Sequence, residues 1–196
     1  MKKKLYEIAG IQTGYIKRDN NKPSESIILP IITLKNLSVN GAIKYDEIGK
    51  ETVDTTDRYP QLKKGDVVFA AKGIRRTAGV VDRYIEGLTA SNHLLIIELN
   101  QEYTDKILPE FLAFYLRQKP ALDYFKLNET GSHIPFISAA VLKEIEIDIP
   151  EVKKQKKLVE IEGLMSREEE LTEELFKLKA KYNRGVLTEL LKGEIQ

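Results

Sequence analysis

Cysteine and tryptophan are both absent from the 196 residues, and histidine occurs only twice. Without cysteine the chain has neither a disulfide framework nor thiolate chemistry, which fits a reducing compartment. His93 and His133 lie far apart, and neither has metal-ligand spacing with another histidine. No apolar run approaches the length that crosses a bilayer, and the basic segment Met1–Lys4 is not followed by the apolar stretch of a signal peptide. We therefore predict a soluble, cytoplasmic protein with no metal and no membrane partner.

The usual catalytic motifs are also missing. The chain contains no GxGxxG, no Walker phosphate loop, no HExxH and no CxxC pair. Asp148, Glu151 and Lys153 resemble a nuclease carboxylate–lysine cluster only loosely, and their spacing is common in any charged helix. The sequence therefore predicts no catalytic residue and no cofactor held by this chain.

Net charge is close to zero, because 31 basic residues are balanced by 30 acidic ones. A nucleic-acid partner is therefore not indicated by bulk charge. Binding to DNA would require a local basic patch, with compensating acidic residues on the other faces of the molecule.

The segment before Pro150 alternates between strand-like and helix-like patterns. Apolar, β-branched runs such as Ile27–Ile32 and His93–Leu99 predict buried strands, while the residues after Pro109 have the periodicity of a helix. We predict a loop over 10–21, a returning strand over 42–45 after the Asn-Gly turn, and no defined structure over 48–59. Pro30 predicts an edge position or a bulge in its strand.

After Pro150 the strand-like alternation gives way to one long charged helix. Its apolar residues occupy the a and d positions of a heptad repeat, interrupted once by Glu168, and they are Ile161, Leu164, Leu171, Leu175, Leu178 and Tyr182. So narrow an apolar stripe needs a second helix beside it, and self-pairing about a two-fold axis is the simplest closed solution. Gly185 falls at a d position and predicts a kink or an end of the helix there. We therefore predict an α+β fold, with a globular mixed domain at 1–150 and a coiled-coil helix at 151–196 that forms a homodimer.

Polar and basic loops are the best candidates for a binding surface. Glycines flank a basic loop between two predicted strands, and glycine lets a backbone approach a partner closely while arginine supplies paired donors for guanine edges or phosphates. Two further loops carry the amide, hydroxyl and imidazole groups that read base edges. The candidate DNA-binding residues are Lys17, Arg18, Lys72, Arg75, Arg76, Asn92, His93, Asn128, Ser132 and His133. From composition alone, ordinary solvated loops are the better explanation of these residues.

Five segments, in order along the chain, resemble the specificity subunit of type I restriction-modification systems in a half-length form with one target-recognition domain. Two of them are the strand and turn of the family pattern kkGDvlfs.rG and the iP...eQ junction that opens its long helix. The matching segments are Lys4–Ile8 with 34–43, Leu62–Gly73, Gly131–Ile149, Ile149–Gln155 and Leu187–Ile195. The loop over 73–79 is longer and more basic than the compact turn of many relatives, which leaves individual base contacts unassigned.

This resemblance implies a DNA-recognition protein that is not itself an enzyme. Its partners would be double-stranded DNA, a second copy of the chain and type I methyltransferase subunits that methylate adenine and themselves bind S-adenosylmethionine. A motor-nuclease restriction subunit is a further partner in the family, and the sequence leaves its recruitment open. We therefore expect a homodimer that reads an interrupted palindrome, since identical heads related by a two-fold axis read inverted copies of one sequence. Two other readings remain: a coiled-coil adaptor that never touches DNA, and a stand-alone nuclease.

Overall fold

The computed structural model describes residues 1–16, 26–54, 59–131 and 133–192. The chain divides into two compact units, Met1–Lys157 and Leu158–Gln196. The strands are β1 (Lys2–Lys4), β2 (Ala9–Thr13), β3 (Ser26–Ile32), β4 (Gly49–Asp54), β5 (Val67–Ala70), β6 (Ala78–Val80), β7 (Thr89–Ala90), β8 (Leu94–Leu99) and β9 (Glu146–Asp148). The helices are α1 (Leu5–Ile8), α2 (Pro109–Arg117), α3 (Lys119–Asn128), α4 (Ala139–Lys143) and α5 (Val152–Lys192). Mixed strands and helices followed by one long helix confirm the predicted α+β class.

An antiparallel sheet in the order β2-β8-β5-β6 forms the centre of the first unit. All of β5 and the first four residues of β8 are buried, as their continuous apolar runs predict. Helix α2 packs against β5 and β6, and α3 places the ring of Phe125 4.9 Å from that of Phe69. Because a fully buried ring of this size contributes about 1.5–3 kcal/mol, this contact fixes the end of α3 against the sheet.

Strand β2 shows that the predicted loop over 10–21 is wrong in its first part. Its residues pair antiparallel with β8, and Ile11 lies opposite Ile97. Gly10 and Gln12 are poor strand formers, so local propensity favoured a loop. The segment becomes a strand because it forms the edge of the sheet and its backbone groups pair with the buried β8.

A second sheet, in the order β4-β3-β7, packs within the same unit. Strand β3 pairs with β4 over 26–31 but with β7 only at Ile31 and Ile32. Pro30 therefore has a neighbouring strand on one side only, in agreement with the predicted edge-like position.

Two predictions in this region are wrong. The segment over 48–59 contains β4, whose side chains are exposed except at Val53 and Asp54, so it lacks the apolar alternation that marks a strand. The expected returning strand over 42–45 is reduced to one bridge between Ile43 and Leu37, and a 3₁₀ turn follows at once. The segment that pairs with β3 is β4 and not the segment 42–45, so pairing with β3 rather than the local pattern decided which of the two became a strand.

The start of α5 is tied to the rest of the first unit by Gln155, which is fully buried. Its Oε1 accepts a hydrogen bond from the Leu108 N–H at 2.9 Å. Its Nε2 donates to the carbonyls of Lys106 and Pro150, each at 2.8 Å. One side chain thus satisfies a backbone donor and two backbone acceptors where α2 begins and β9 has ended.

Helix α5 contains 41 residues and is therefore about 60 Å long. The six predicted seam residues are all exposed, with exposed fractions between 47% for Leu171 and 72% for Tyr182. The expected end of the helix at Gly185 is wrong, because the helix continues through this residue to Lys192. A Cβ at Gly185 would meet no atom within 4 Å, so no packing in the described chain requires a glycine there.

Candidate nucleic-acid interface

The loop over 71–77 joins β5 to β6 and carries three of the predicted DNA-binding residues. The start of the loop is hydrogen-bonded to the residue before β8: the His93 carbonyl accepts hydrogen bonds from the N–H groups of Ala71 and Lys72 at 3.0 and 3.3 Å. Gly73 has a φ of +97°, a backbone conformation that residues with a side chain rarely adopt. The turn at Gly73 therefore depends on glycine.

A second loop, over 129–137, lies directly against the first. Thr130 and Phe136 exchange two backbone hydrogen bonds, of 3.1 and 2.8 Å, and close this loop into a small hairpin. Gly131 has a φ of +98°, and a Cβ there would lie 2.5 Å from the Ile134 carbonyl oxygen, so the hairpin also requires glycine. The two loops pair through backbone bonds from Gly73 N–H to the Pro135 carbonyl and from the Ile137 N–H to the Ala71 carbonyl.

Between these loops lies a cleft of about 370 Å³, which we call the two-loop cleft. It is lined by Leu34, Leu37, Ala70, Lys72, Gly73, Ile74, Arg75, Thr77, His133, Ile134 and Pro135. The described lining includes one lysine, one arginine and one histidine but no carboxylate. In a chain with nearly balanced charge, the cleft is a local basic surface among the described residues, of the kind that nucleic-acid binding requires.

Arg76 differs from its basic neighbours because its side chain is only 6% exposed. Its Nη2 donates to Glu129 Oε2 at 2.9 Å, and its Nη1 donates to the carbonyl of Gly73. The guanidinium thus joins the β5–β6 loop to the start of the hairpin and closes the turn on which Gly73 lies. In this arrangement Arg76 holds the loops together and does not present its donors to solvent.

The other predicted residues fall into four groups. Lys72, Arg75 and His133 meet in the two-loop cleft. His93 is exposed and adjoins the cleft through its carbonyl, with the half-buried Asn92 before it. Asn128 is the last residue of α3, and its Nδ2 donates a hydrogen bond to the Tyr124 carbonyl at 2.8 Å. This bond stabilises the end of the helix next to the hairpin. The remaining three, Lys17, Arg18 and Ser132, lie outside the described residues.

Sequence reasoning missed the apolar part of the cleft. Ile74 is 91% exposed and Ile134 is 65% exposed, and both line the cleft. The sequence feature that could have predicted this apolar lining is a single isoleucine within each of two polar, glycine-containing loops. Folding alone gives no reason for a large apolar side chain in such a loop.

A larger depression, of about 540 Å³, lies on α5 around Phe176, but its chemistry does not suit a nucleic acid. Its lining includes Glu168, Glu169 and Glu173, which would repel phosphate. Across the described residues, no group of three or more histidine, cysteine, aspartate or glutamate side chains is arranged to hold a metal ion. In the same part of the chain, every helix is too short or too polar to cross a lipid bilayer.

Comparison with known proteins decides the family. Residues 1–175 match the family described as the type I restriction modification DNA specificity domain. The chain belongs to this family. The resemblance expected from the five sequence segments is thereby confirmed.

Solved structures of type I specificity proteins share the fold of this specificity-domain chain. One of these structures concerns the complex assembly and conformational transition of the type I R-M system, and it matches with a TM-score of 0.68 at 19% identity. The alignment covers 99% of this chain and 48% of the chain in that structure. Another, the HsdS subunit from Thermoanaerobacter tengcongensis, has a TM-score of 0.61 at 22% identity, with 97% of this chain and 46% of that one covered. This chain thus spans about half the length of those structures. A search of curated proteins finds no match.

Proposed function

We propose that this chain is a sequence-reading subunit of a type I restriction-modification complex, and that the two-loop cleft contacts the DNA. Membership of the specificity-domain family is the observation that carries the proposal. The cleft supports it, because Lys72 and Arg75 supply cations where the described lining contains no acid. Lys72, Arg75 and His133 contact the duplex, while Arg76 acts as a positioning residue through Glu129 and Gly73.

We also propose that two copies of the chain pair through α5. The support is the exposed apolar seam, since six large side chains at 47–72% exposure would leave water on pairing. A helix of about 60 Å spans nearly two turns of B-DNA, which suits two short recognition words separated by a gap. The two-fold dimer would read an interrupted palindrome and position adenine methyltransferase subunits, which bring S-adenosylmethionine. Pairing with a different half-length subunit would instead give two unlike words.

The experiment that tests this function is methylome sequencing of cells that express the chain with its candidate type I methyltransferase subunit. We expect methylated adenine in one bipartite motif whose two words are inverted repeats. A matched culture that expresses the methyltransferase without this chain should show no such motif.

Each outcome of this experiment has a defined meaning. A bipartite motif with two unlike words would keep the reading role and exclude the homodimer. Absence of any sequence-specific methylation, together with no footprint of the complex on DNA, would overturn the reading role and favour an adaptor.

A further inference from the structure

The most exposed large apolar side chain of the described cleft belongs to Ile74, which follows Gly73 at the turn of the β5–β6 loop. Ile134, on the facing hairpin, is the second exposed isoleucine of the lining. Neither side chain contributes much to folding, because most of its surface stays in water. Two such residues on one cleft indicate a surface shaped for an apolar feature of a ligand.

The loop that carries Ile74 is held from both sides. The Gly73 N–H donates to the Pro135 carbonyl at 3.0 Å, while Arg76 bonds both the Gly73 carbonyl and Glu129. These bonds close the turn around residue 74, so the backbone that presents the isoleucine is hydrogen-bonded on both sides of it. A contact made by a preorganised loop loses little conformational entropy on binding.

The chemistry around the isoleucines selects the ligand. Lys72 and Arg75 line the same cleft, and none of the described lining residues is acidic. A polyanion therefore fits the cations of the cleft better than an acidic or neutral protein surface does. To fit the two isoleucines as well, the polyanion must also offer an apolar group. In the major groove of DNA that group is the C5-methyl of thymine, which no other standard base carries.

We propose that Ile74, supported by Ile134, reads the C5-methyl group of a thymine in the major groove, with Lys72 and Arg75 on the flanking phosphates. This inference rests on the proposed DNA-reading function and adds a base type and a specificity-determining residue to it. The recognition sequence then contains at least one thymine that is distinguished from uracil. A side chain wedged between base pairs from the minor groove would make no such distinction.

The test uses the full complex with its methyltransferase subunit and duplexes that carry the methylome-derived motif. Each thymine of the motif is replaced in turn by deoxyuridine, which removes the methyl group and keeps the pairing. We expect one position in each half-site at which replacement lowers affinity about fourfold, the factor for losing one methyl from an apolar contact. Ile74→Ala should weaken binding to the unmodified duplex and abolish the difference between thymine and uracil at that position.

Ile28→Ala is the matched control, since Ile28 is 69% exposed on β3 and does not line the cleft. It should leave both the affinity and the uracil effect unchanged, and circular dichroism should show each variant folded. If specific binding persists but no thymine position responds to uracil, or if Ile74→Ala retains the full uracil effect, the inference is wrong while the reading function stands. If the wild-type complex shows no sequence-specific binding at all, the proposed function itself fails.

Discussion

Gln155 offers the sharpest test of how the first unit is held together. Replacing it with methionine keeps the volume and the unbranched shape of the side chain but removes its amide. Three hydrogen bonds are then lost, from Leu108 and to Lys106 and Pro150. At about 1 kcal/mol net for each bond, the loss is about 3 kcal/mol, and more if the stranded backbone groups stay buried without water. This is a large share of the roughly 5–15 kcal/mol that stabilises an ordinary domain.

Urea unfolding followed by tyrosine fluorescence measures this loss, because eight of the nine tyrosines precede Leu158 and report on the first unit. With a denaturant slope of about 2 kcal/mol per molar, Gln155→Met should lower the midpoint by about 1.5 M. Lys156→Met is the matched control, since this neighbouring side chain is exposed and its loss should change stability by less than about 0.5 kcal/mol. If the two variants have the same midpoint, the buried amide does not hold this junction.

Three further predictions follow from the described residues. Leu171→Asp combined with Leu178→Asp should convert the proposed dimer to a monomer in sedimentation, because pairing would bury the new charges in the seam. Phe176→Asp lies off the seam and should leave the oligomeric state unchanged. An unaltered dimer in the double variant would contradict the assignment of the seam. Because the proposed dimer carries two copies of Arg75, Arg75→Gln should weaken specific DNA binding by the complex and lower its salt slope by about two. An unchanged slope would remove Arg75 from the phosphate contacts. Burial raises the pKa of Asp66 above its ordinary 3.8, so the folded state binds this proton more tightly than the unfolded state. The free energy of unfolding of the wild type, relative to that of Asp66→Asn, should therefore fall as the pH rises from below 3.8 through the raised pKa. Above that pKa the difference between the two proteins should level off, and a difference that does not depend on pH would refute this assignment.

The sequence anticipated the cleft only in part, and the reason is visible in its residues. Lys72, Arg75 and His133 were predicted as binding residues from their loops, but nothing along the chain places residue 133 beside residue 72. Their meeting on one cleft depends on backbone hydrogen bonds between the hairpin and the β5–β6 loop. Arg76 looked the same as Arg75 in the sequence, and only its ion pair with Glu129 separates a positioning role from a binding role.

Local pattern determined the features of this protein that depend on neighbours a few residues apart. The heptad of α5, the buried runs of β5 and β8, and the helix after Pro109 all follow from periodicity, because side-chain direction repeats every 3.6 or 2 residues. Tertiary structure alone decided which weak segments became β2 and β4, what Gln155 bonds, and which isoleucines remain in water. Those outcomes depend on partners distant in the chain, and the free energy that selects them comes from pairing and burial that no local window contains.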